Sequence, residues 1–348
     1  MSTTTVIEFP PEELARLARL RYVLDEEPGI KRELNGKGFV YLNGRGKRVA
    51  DRRQLTRIES LAIPPAWTEV WICRYPDGHL QATGRDARGR KQYLYHEHWR
   101  EISNAAKFFR LKAVPRFLPK LRLQVSRDMR GGELSKTRVI AGIVALLDLT
   151  SIRIGNEEYV RENGSYGLAT LRNRHVTIQG NKAVLRFRAK SGLLRETEVT
   201  EKRLVSLLKQ LKKVPGAHVF QYQDDAGQVH SVDSIAVNTY LHERTWHHFT
   251  AKDFRTWKAS ALAAGILFDE RAADKLAARK KVVKRAITIV SDALGNTPTV
   301  CRKYYIHSGL FEAYLAGDFQ AMFVRRRPSK TRSLTRDEQI LAQFLRKT

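Results

Sequence analysis

Residues 176–199, VTIQGNKAVLRFRAKSGLLRETEV, contain two segments in which apolar and polar side chains alternate. KAVLRFRA and LLRETEV have the period of two that is typical of strands buried on one face. Lys190, Ser191 and Gly192 lie between them, and serine and glycine favour a turn. This stretch therefore predicts an antiparallel hairpin with Lys190 at its turn.

The segments around this hairpin have helical spacing. Apolar residues recur on one face of a helix predicted over 137–149, and the preceding residues 126–134 (SRDMRGGEL) are predicted to form a loop. Further helices are predicted at 97–110, 201–213, 231–247, 255–264, 270–278, 280–293 and 336–346. A single clear hairpin among these segments predicts a mainly α-helical domain.

The first hundred residues have a different character. A helix is predicted over 11–24, with Pro11 suited to its first turn. Short strands separated by turn residues are predicted at 38–42, 68–74, 79–83 and 91–95. Because the character changes within 95–112, we expect two domains, residues 1–100 and 101–348. The predicted fold class is α+β, a small β-rich amino-terminal domain followed by a larger, mainly α-helical domain.

The composition is strongly basic. Lys and Arg number 63 against 36 Asp and Glu, so the 348 residues have a formal net charge of +27. Such a charge attracts polyanions and favours nucleic acid as the partner. An anionic membrane surface is the alternative, but we find no basic amphipathic anchor, transmembrane run or signal peptide, and we expect a cytoplasmic protein. Cys73 and Cys301 lack the spacing of a disulfide framework or a zinc site.

Several catalytic motifs are missing from the sequence: the P-loop, the Rossmann glycine fingerprint, HExxH and GxSxG. ATP-driven work and metallohydrolase chemistry lose support, and we expect neither a metal nor a cofactor. Cleaving a phosphodiester without a metal requires arginine and lysine to neutralise the phosphate and to protonate the leaving oxygen. A tyrosine nucleophile would conserve the bond energy in a phosphotyrosyl ester.

Five segments together resemble the poxvirus-like branch of the type IB DNA topoisomerases, especially its bacterial members. They are GRDARGRKQYLY (84–95), SIRIGNEEYVRENGSYGLATLRNRHV (151–176), RFRAKSG (186–192), KDFRTW (252–257) and LGNTPTVCRKYYIH (294–307). Each segment is weak alone, whereas five in family order across nearly the whole chain are specific. The resemblance implies a catalytic domain of the tyrosine recombinase and type IB topoisomerase fold, and a small domain that helps to clamp duplex DNA.

The resemblance also assigns supporting roles in catalysis. Arg153 and Arg255 match the two arginines that neutralise the scissile phosphate, and Lys190 matches the hairpin lysine that protonates the 5′ oxygen. Asn296 stands where the viral enzymes have histidine, and its amide can donate a hydrogen bond but cannot shuttle a proton. Without the resemblance, surface arginines, a solubilising turn lysine and a turn asparagine are the ordinary explanations.

The resemblance identifies Tyr305, rather than its neighbour Tyr304, as the nucleophile. The family has its tyrosine nine residues after the His/Asn position, and Tyr305 stands nine residues after Asn296. Free tyrosine has a pKa of about 10. The charges of Arg153 and Arg255 would favour the phenolate.

DNA contacts are likewise implied by resemblance. Positioning is assigned to Gln92, Tyr93, Tyr95 and Tyr159, and phosphate contacts to Arg85, Arg88, Arg90, Lys91 and Lys252. Lys252 also argues against a tyrosine recombinase, which typically has histidine three residues before the second arginine. Simple strand alternation, with both side chains on one buried face, is the alternative explanation for Tyr93 and Tyr95.

The implied function is the relaxation of supercoiled duplex DNA through a transient 3′-phosphotyrosyl bond, by a monomer acting at the nucleoid without ATP. Two alternatives stay open. A tyrosine recombinase would use similar residues but requires paired sites and a tetramer. A non-catalytic basic DNA-binding protein would account for the charge equally well.

Overall fold

The computed structural model describes residues 10–36, 38–245, 247–270, 275–323 and 333–348. The chain divides into two compact units, Met1–Arg110 (unit 1) and Leu111–Thr348 (unit 2). The boundary lies after the helix Glu97–Arg110, because that helix packs against the first helix of unit 1.

Unit 1 is built on one antiparallel sheet. Its helices are α1 (Pro11–Leu17), α2 (Arg52–Ser60) and α3 (Glu97–Arg110). Its strands are β1 (Ile30–Asn35), β2 (Gly38–Leu42), β3 (Thr68–Ile72), β4 (Leu80–Arg85) and β5 (Lys91–Tyr95), in the order β2-β1-β3-β4-β5. The main apolar core cluster of this unit consists of Ile30, Val49, Ile58, Val70, Ile72 and Ala82.

Unit 2 is mainly helical. Its helices are α4 (Val114–Asp128), α5 (Lys136–Thr150), α6 (Glu157–Asn163), α7 (Lys202–Leu211), α8 (Ser234–Thr245), α9 (Ala251–Asp269), α10 (Leu276–Leu294), α11 (Pro298–Tyr304), α12 (Ser308–Ala316) and α13 (Arg336–Leu345). Strands β6 (Val176–Gln179), β7 (Lys182–Arg188) and β8 (Leu194–Val199) form one sheet, and β9 (Gln221–Gln223) pairs with β10 (Val229–Ser231). Among the described residues, none of these helices has both the length and the apolar character needed to cross a bilayer.

Helix α9 lies at the centre of unit 2, since most of its residues are buried. Thr250 and Asp253 form a capping box at its start, and α10 and α13 pack against it. A helix that is buried on nearly all sides cannot shift without disturbing its neighbours. Arg255 and Ser260, two of the buried polar residues of α9, are therefore held in fixed places.

A buried charge network anchors α13 to α9. Glu338 accepts hydrogen bonds from Arg122 Nη2 at 2.7 Å and from Trp257 Nε1 at 3.0 Å. Arg122 Nε also donates to Asp148 at 2.7 Å. Burial raises the pKa of Glu338, but hydrogen bonding and charge from Arg122 more than offset this, and the pKa falls to about 2. The carboxylate therefore stays charged and paired at neutral pH.

The α+β class is confirmed, and β7 and β8 form the predicted hairpin, to which β6 adds a third strand. The loop predicted over 126–134 is wrong in its first part, because α4 continues to Asp128. Pro119 lies inside α4, where proline normally breaks a helix, so its buried apolar face was not recognised. The helix predicted over 11–24 ends at Leu17, and β1 and α2 were not predicted. Helices were predicted at 270–278 and 280–293. The second corresponds to α10, which begins earlier, at Leu276. Residues 271–274 of the first lie outside the described residues.

Candidate active site

Tyr305 lies directly after α11, and its backbone is held from two sides. Its N–H donates to Cys301 O at 3.0 Å. The buried Ser260 of α9 donates its hydroxyl to Tyr305 O at 3.2 Å and accepts the His307 N–H at 3.0 Å. One serine hydroxyl thus ties the chain on either side of Tyr305 to the central helix.

Arg255 lies beside Tyr305 although it is only 2% exposed. Its guanidinium carbon is 5.3 Å from the centroid of the Tyr305 ring. Nη1 donates to Ser151 O, and Nη2 donates to Leu294 O at 2.9 Å. These carbonyls lie at the carboxyl ends of α5 and α10, where the helix dipole is negative and the last carbonyls lack helical partners. Arg255 therefore joins two helix ends and places a positive charge next to Tyr305.

Arg153 lies on a loop that is shaped by the close approach of two glycines. Leu168 N donates to Arg153 O at 2.9 Å. A Cβ atom on Gly167 would lie 2.4 Å from Gly155 N, so no side chain fits at that crossing. The crossing holds the Arg153 loop against the segment that contains Gly167, and Arg153 Nη2 donates to Asn296 Oδ1.

Asn296 follows Gly295, which ends α10 in the left-handed conformation with a φ of 60°. Its N–H donates to Ser291 O at 3.0 Å. While Oδ1 accepts from Arg153, the buried Nδ2 has no hydrogen-bond partner of good geometry among the described residues. The Cys301 thiol lies nearby. Burial raises the pKa of this thiol, and the Asn296 amide partly offsets that rise. A thiol is nevertheless only a weak hydrogen-bond acceptor. Asn296 is thus both a turn residue and an available donor.

Charge governs the ionisation of Tyr305. Burial raises its pKa, whereas the charges of Arg255 and Arg153 and a hydrogen bond from Arg255 lower it, and the net pKa lies below the ordinary value. Burial, and then the charge of Arg153, lower the pKa of Arg255. Arginine nevertheless stays cationic at neutral pH. The site therefore favours a phenolate, or another anion placed among these arginines.

The two candidate lysines of unit 2 are at its surface. Lys190 is exposed in the turn at residues 190–192 and forms no hydrogen bond or ion pair with any described residue. Lys252 is exposed in the first turn of α9, and its charge contributes to the lowered pKa of Tyr305. The structure therefore brings Lys252 close to Tyr305, while it does not bring Lys190 into contact with the cluster.

Two residues that hold this cluster together were missed in the sequence. Ser260 interrupts an apolar run of α9, which is a weak signal of a polar role. Arg195 on β8 donates Nη2 to Thr150 O at 2.9 Å and to Ala293 O at 3.3 Å. Its acceptors are backbone atoms distant in the sequence, so no local pattern identifies it.

Tyr93 and Tyr95 share one face of β5 in unit 1. Their rings are stacked with centroids 6.1 Å apart, and Tyr93 is 48% exposed. This face of β5 is therefore not a buried face, and simple strand alternation does not explain the two tyrosines. Lys91, on the same face, pairs with Asp25 at 2.7 Å.

Acidic neighbours engage the other basic residues before β5. Arg85 Nε donates to Glu69 at 2.8 Å, and Arg90 Nε donates to Asp86 at 2.7 Å. Gln92 Nε2 donates to Asp86 as well, at 3.0 Å. The pKa of Asp86 falls to about 2, chiefly because of the hydrogen bond from Arg90. A phosphate would have to compete with these carboxylates for the side chains of Arg85, Arg90 and Gln92. The side chain of Arg88, in contrast, is exposed.

Tyr304 and Tyr159 complete the set of candidate residues. Tyr304 is 38% exposed, and its ring centroid is 5.5 Å from Lys303 Nζ. Tyr159 is exposed on α6, which starts at the N-cap Asn156. Tyr305, in contrast, packs against the buried arginine of α9.

Both units are similar to known protein families. Residues 96–316 match the family described as "Eukaryotic DNA topoisomerase I, catalytic core", and residues 38–86 match "Bacterial DNA topoisomerase IB, N-terminal domain". "DNA topoisomerase 1B" of Acanthamoeba polyphaga mimivirus is 33% identical over 293 residues, which cover 82% of this chain and 87% of the viral protein. "DNA topoisomerase 1" of Rabbit fibroma virus (strain Kasza) is 23% identical over 274 residues, covering 75% and 81%. "DNA topoisomerase 1B" of Vaccinia virus (strain Copenhagen) is 21% identical over 235 residues, covering 66% and 70%.

Proposed function

Since this chain belongs to the family of type IB DNA topoisomerases, we propose that it relaxes supercoiled duplex DNA by cutting and rejoining one strand, with Tyr305 as the nucleophile. The main support is the position of the Tyr305 ring, 5.3 Å from the guanidinium carbon of Arg255. In this place positive charge lowers the pKa of the attacking hydroxyl.

In the proposed cleavage step, Tyr305 Oη attacks the phosphorus of a backbone phosphodiester. The P–Oη bond forms as the P–O5′ bond breaks, which leaves a 3′-phosphotyrosyl ester and a 5′ hydroxyl. The phenolic proton passes to solvent, and the 5′ oxygen takes a proton from Lys190. One ester replaces another, so attack by the 5′ hydroxyl reseals the strand without ATP.

Arg153, Arg255 and Asn296 are proposed to stabilise the charge that develops on the phosphate oxygens. Arg255 has both Nη groups bound to helix-end carbonyls, while its buried Nε has no partner among the described residues. Asn296 Nδ2 is a second buried donor of this kind. Fixed donors in a partly buried site stabilise a transition state without having to reorganise. Because Asn296 is neutral, the positive charge comes mainly from the arginines.

Lys190 is proposed to enter the site with bound DNA. It stands at the end of a hairpin whose strand β7 is tied to the segment that crosses the Arg153 loop, since Tyr166, next to Gly167, donates its N–H to Arg188 O at 2.8 Å. An exposed lysine on a long flexible side chain can reach a backbone oxygen next to this loop.

DNA contacts are proposed for both units. The exposed rings of Tyr93 and Tyr159 and the exposed cations Arg88 and Lys252 are suited to phosphate and sugar contacts. Gln92 and Tyr95 are proposed to position the duplex, while Arg85, Arg90 and Lys91 would exchange their carboxylate partners for phosphates.

A monomer that acts at the nucleoid stays a prediction. All five residues assigned to the chemistry belong to unit 2 of one chain, so a single copy contains every group that the proposed cleavage step requires.

Plasmid relaxation tests the proposal. Supercoiled plasmid incubated with the chain, without ATP or magnesium, should relax in single linking steps. Tyr305→Phe should abolish relaxation and the covalent adduct while DNA binding is retained, and the matched control Tyr304→Phe should relax the plasmid. Recombinant products without steady relaxation would favour a recombinase. Binding without any adduct in the wild type would indicate a non-catalytic DNA-binding protein.

A further inference from the structure

Arg195 caps the same two helix ends as Arg255. Both arginines bridge the carboxyl ends of α5 and α10, and their acceptors are neighbouring carbonyls, those of Thr150 and Ala293 for Arg195 and those of Ser151 and Leu294 for Arg255. Charged donors are favourable at this pole of a helix. The repeated arrangement indicates that the relative position of the two helix ends is closely controlled.

These two helix ends lead directly into the loops of the proposed active site. Ser151 ends α5 in the left-handed conformation, with a φ of 53°, and Arg153 follows two residues later. Gly295 ends α10 in the same way and Asn296 comes next. Any shift between the helix ends would therefore shift Arg153 against Asn296.

The location of Arg195 links a third group to this arrangement. It lies on β8, which directly follows the turn that contains Lys190. The β7 side of the hairpin is bonded to Tyr166, which stands next to the Gly167 crossing of the Arg153 loop, and the β8 side is tied by Arg195 to the helix ends. Both strands of the hairpin are thus attached beside the loops that hold the other catalytic candidates.

A purely stabilising role explains this arginine poorly. Burial and the charge of Arg153 both lower the pKa of Arg195, which shows that its charge is held at a cost. Its Nε is buried without a partner among the described residues. Arg195 also repels Arg255. A buried arginine whose charge is disfavoured in this way fits a role in positioning the catalytic groups.

We propose that Arg195 is a positioning residue for DNA cleavage, which ties the Lys190 hairpin to the helix ends that carry Arg153 and Asn296. The inference rests on the proposed function of Tyr305 and extends it. Arg195 acts through these groups and contacts backbone carbonyls rather than the phosphate.

The kinetic test uses Arg195→Leu, with Arg186→Leu as the matched control on the same hairpin. Arg186 is exposed and pairs only loosely with Glu196, at 3.5 Å. At saturating duplex DNA, the rate of adduct formation by R195L should fall roughly 30- to 300-fold, since misplacing catalytic groups by about 1 Å costs on the order of 100-fold. The Kd for DNA should stay within about threefold, because phosphate contacts set the affinity. Arg195→Lys, which keeps the charge and a donor, should recover part of the rate. A wild-type rate in R195L would overturn the proposal.

Amide hydrogen exchange without DNA provides a second and independent measurement. R195L should speed exchange at residues 151–156 and 293–297, and R186L should not. A lost rate with unchanged exchange would overturn the proposal, because Arg195 would then act on the phosphate directly. If R195L does not fold, the same two measurements are made on R195K. Wild-type exchange together with a wild-type rate in R195K would overturn the proposal. Absence of any adduct in the wild type would refute the role of Tyr305, while the exchange data would still report on the hairpin attachment.

Discussion

Replacing Asn296 with aspartate separates charge from shape at the centre of the proposed site. The two side chains have nearly the same size, and the aspartate would keep the oxygen that accepts from Arg153. The buried Nδ2 donor would become a carboxylate oxygen. The change thus exchanges a donor for a negative charge where a phosphate oxygen is proposed to bind.

The size of the effect follows from Coulomb's law. Two unit charges about 4 Å apart interact with about 4 kcal/mol at the effective dielectric constant of a partly buried site. Asn296 is half-buried, so screening reduces this to roughly 2–4 kcal/mol of barrier, or about 30- to 1000-fold in rate. The free energy of unfolding should stay the same or rise by up to about 1 kcal/mol, because Arg153 gains an ionic partner.

Single-turnover adduct formation on a duplex whose cleaved end cannot religate measures the rate, and urea denaturation measures the stability. Asn296→His is the control and should keep the rate within roughly one order of magnitude, about 1.4 kcal/mol. A rate for N296D within about threefold of the wild type would refute the placement of Asn296 at the phosphate. A large loss of stability would show that the amide acts chiefly as a structural turn residue.

Three further predictions concern charge. The pKa of Glu338 is held at about 2, below its ordinary 4.5, so its stabilising effect is complete above about pH 4.5 and is lost as the pH falls towards 2. Thermal melts of Glu338→Gln should therefore depend less on pH in that range, and identical acid dependence would contradict the ion network. Tyr305 should ionise below the ordinary tyrosine pKa of about 10 in difference titrations against Tyr305→Phe, and Arg153→Leu should raise its midpoint; an unmoved midpoint would contradict the electrostatics. DNA affinity should fall steeply with salt, and Lys252→Ala should flatten the logarithmic slope by about one, whereas a nearly flat wild-type response would exclude extensive phosphate contact.

The elements with a clear local pattern were predictable from the sequence. Burial alternates along both β7 and β8, and α5 has an apolar face that appears at helical spacing. Helix α4 was not recognised because Pro119 lies inside it, although the helix buries five apolar residues.

The candidate site was only partly predictable for a related reason. Arg153, Arg255, Asn296 and Tyr305 stand in short motifs, and the structure brings these four side chains together. Arg195 and Ser260 act on backbone atoms that are remote in sequence and close only in the fold. Their roles depend on how helix ends meet, which no local pattern encodes.

Peptide mapping of the covalent adduct identifies the residue that attacks the DNA. Duplex DNA labelled in one strand would be incubated with the chain, the adduct trapped by denaturation and digested, and the DNA-linked peptide sequenced by mass spectrometry. We expect a single linkage, through the 3′ phosphate to Tyr305. Linkage to Tyr304, linkage to a 5′ phosphate, or no covalent product would contradict it.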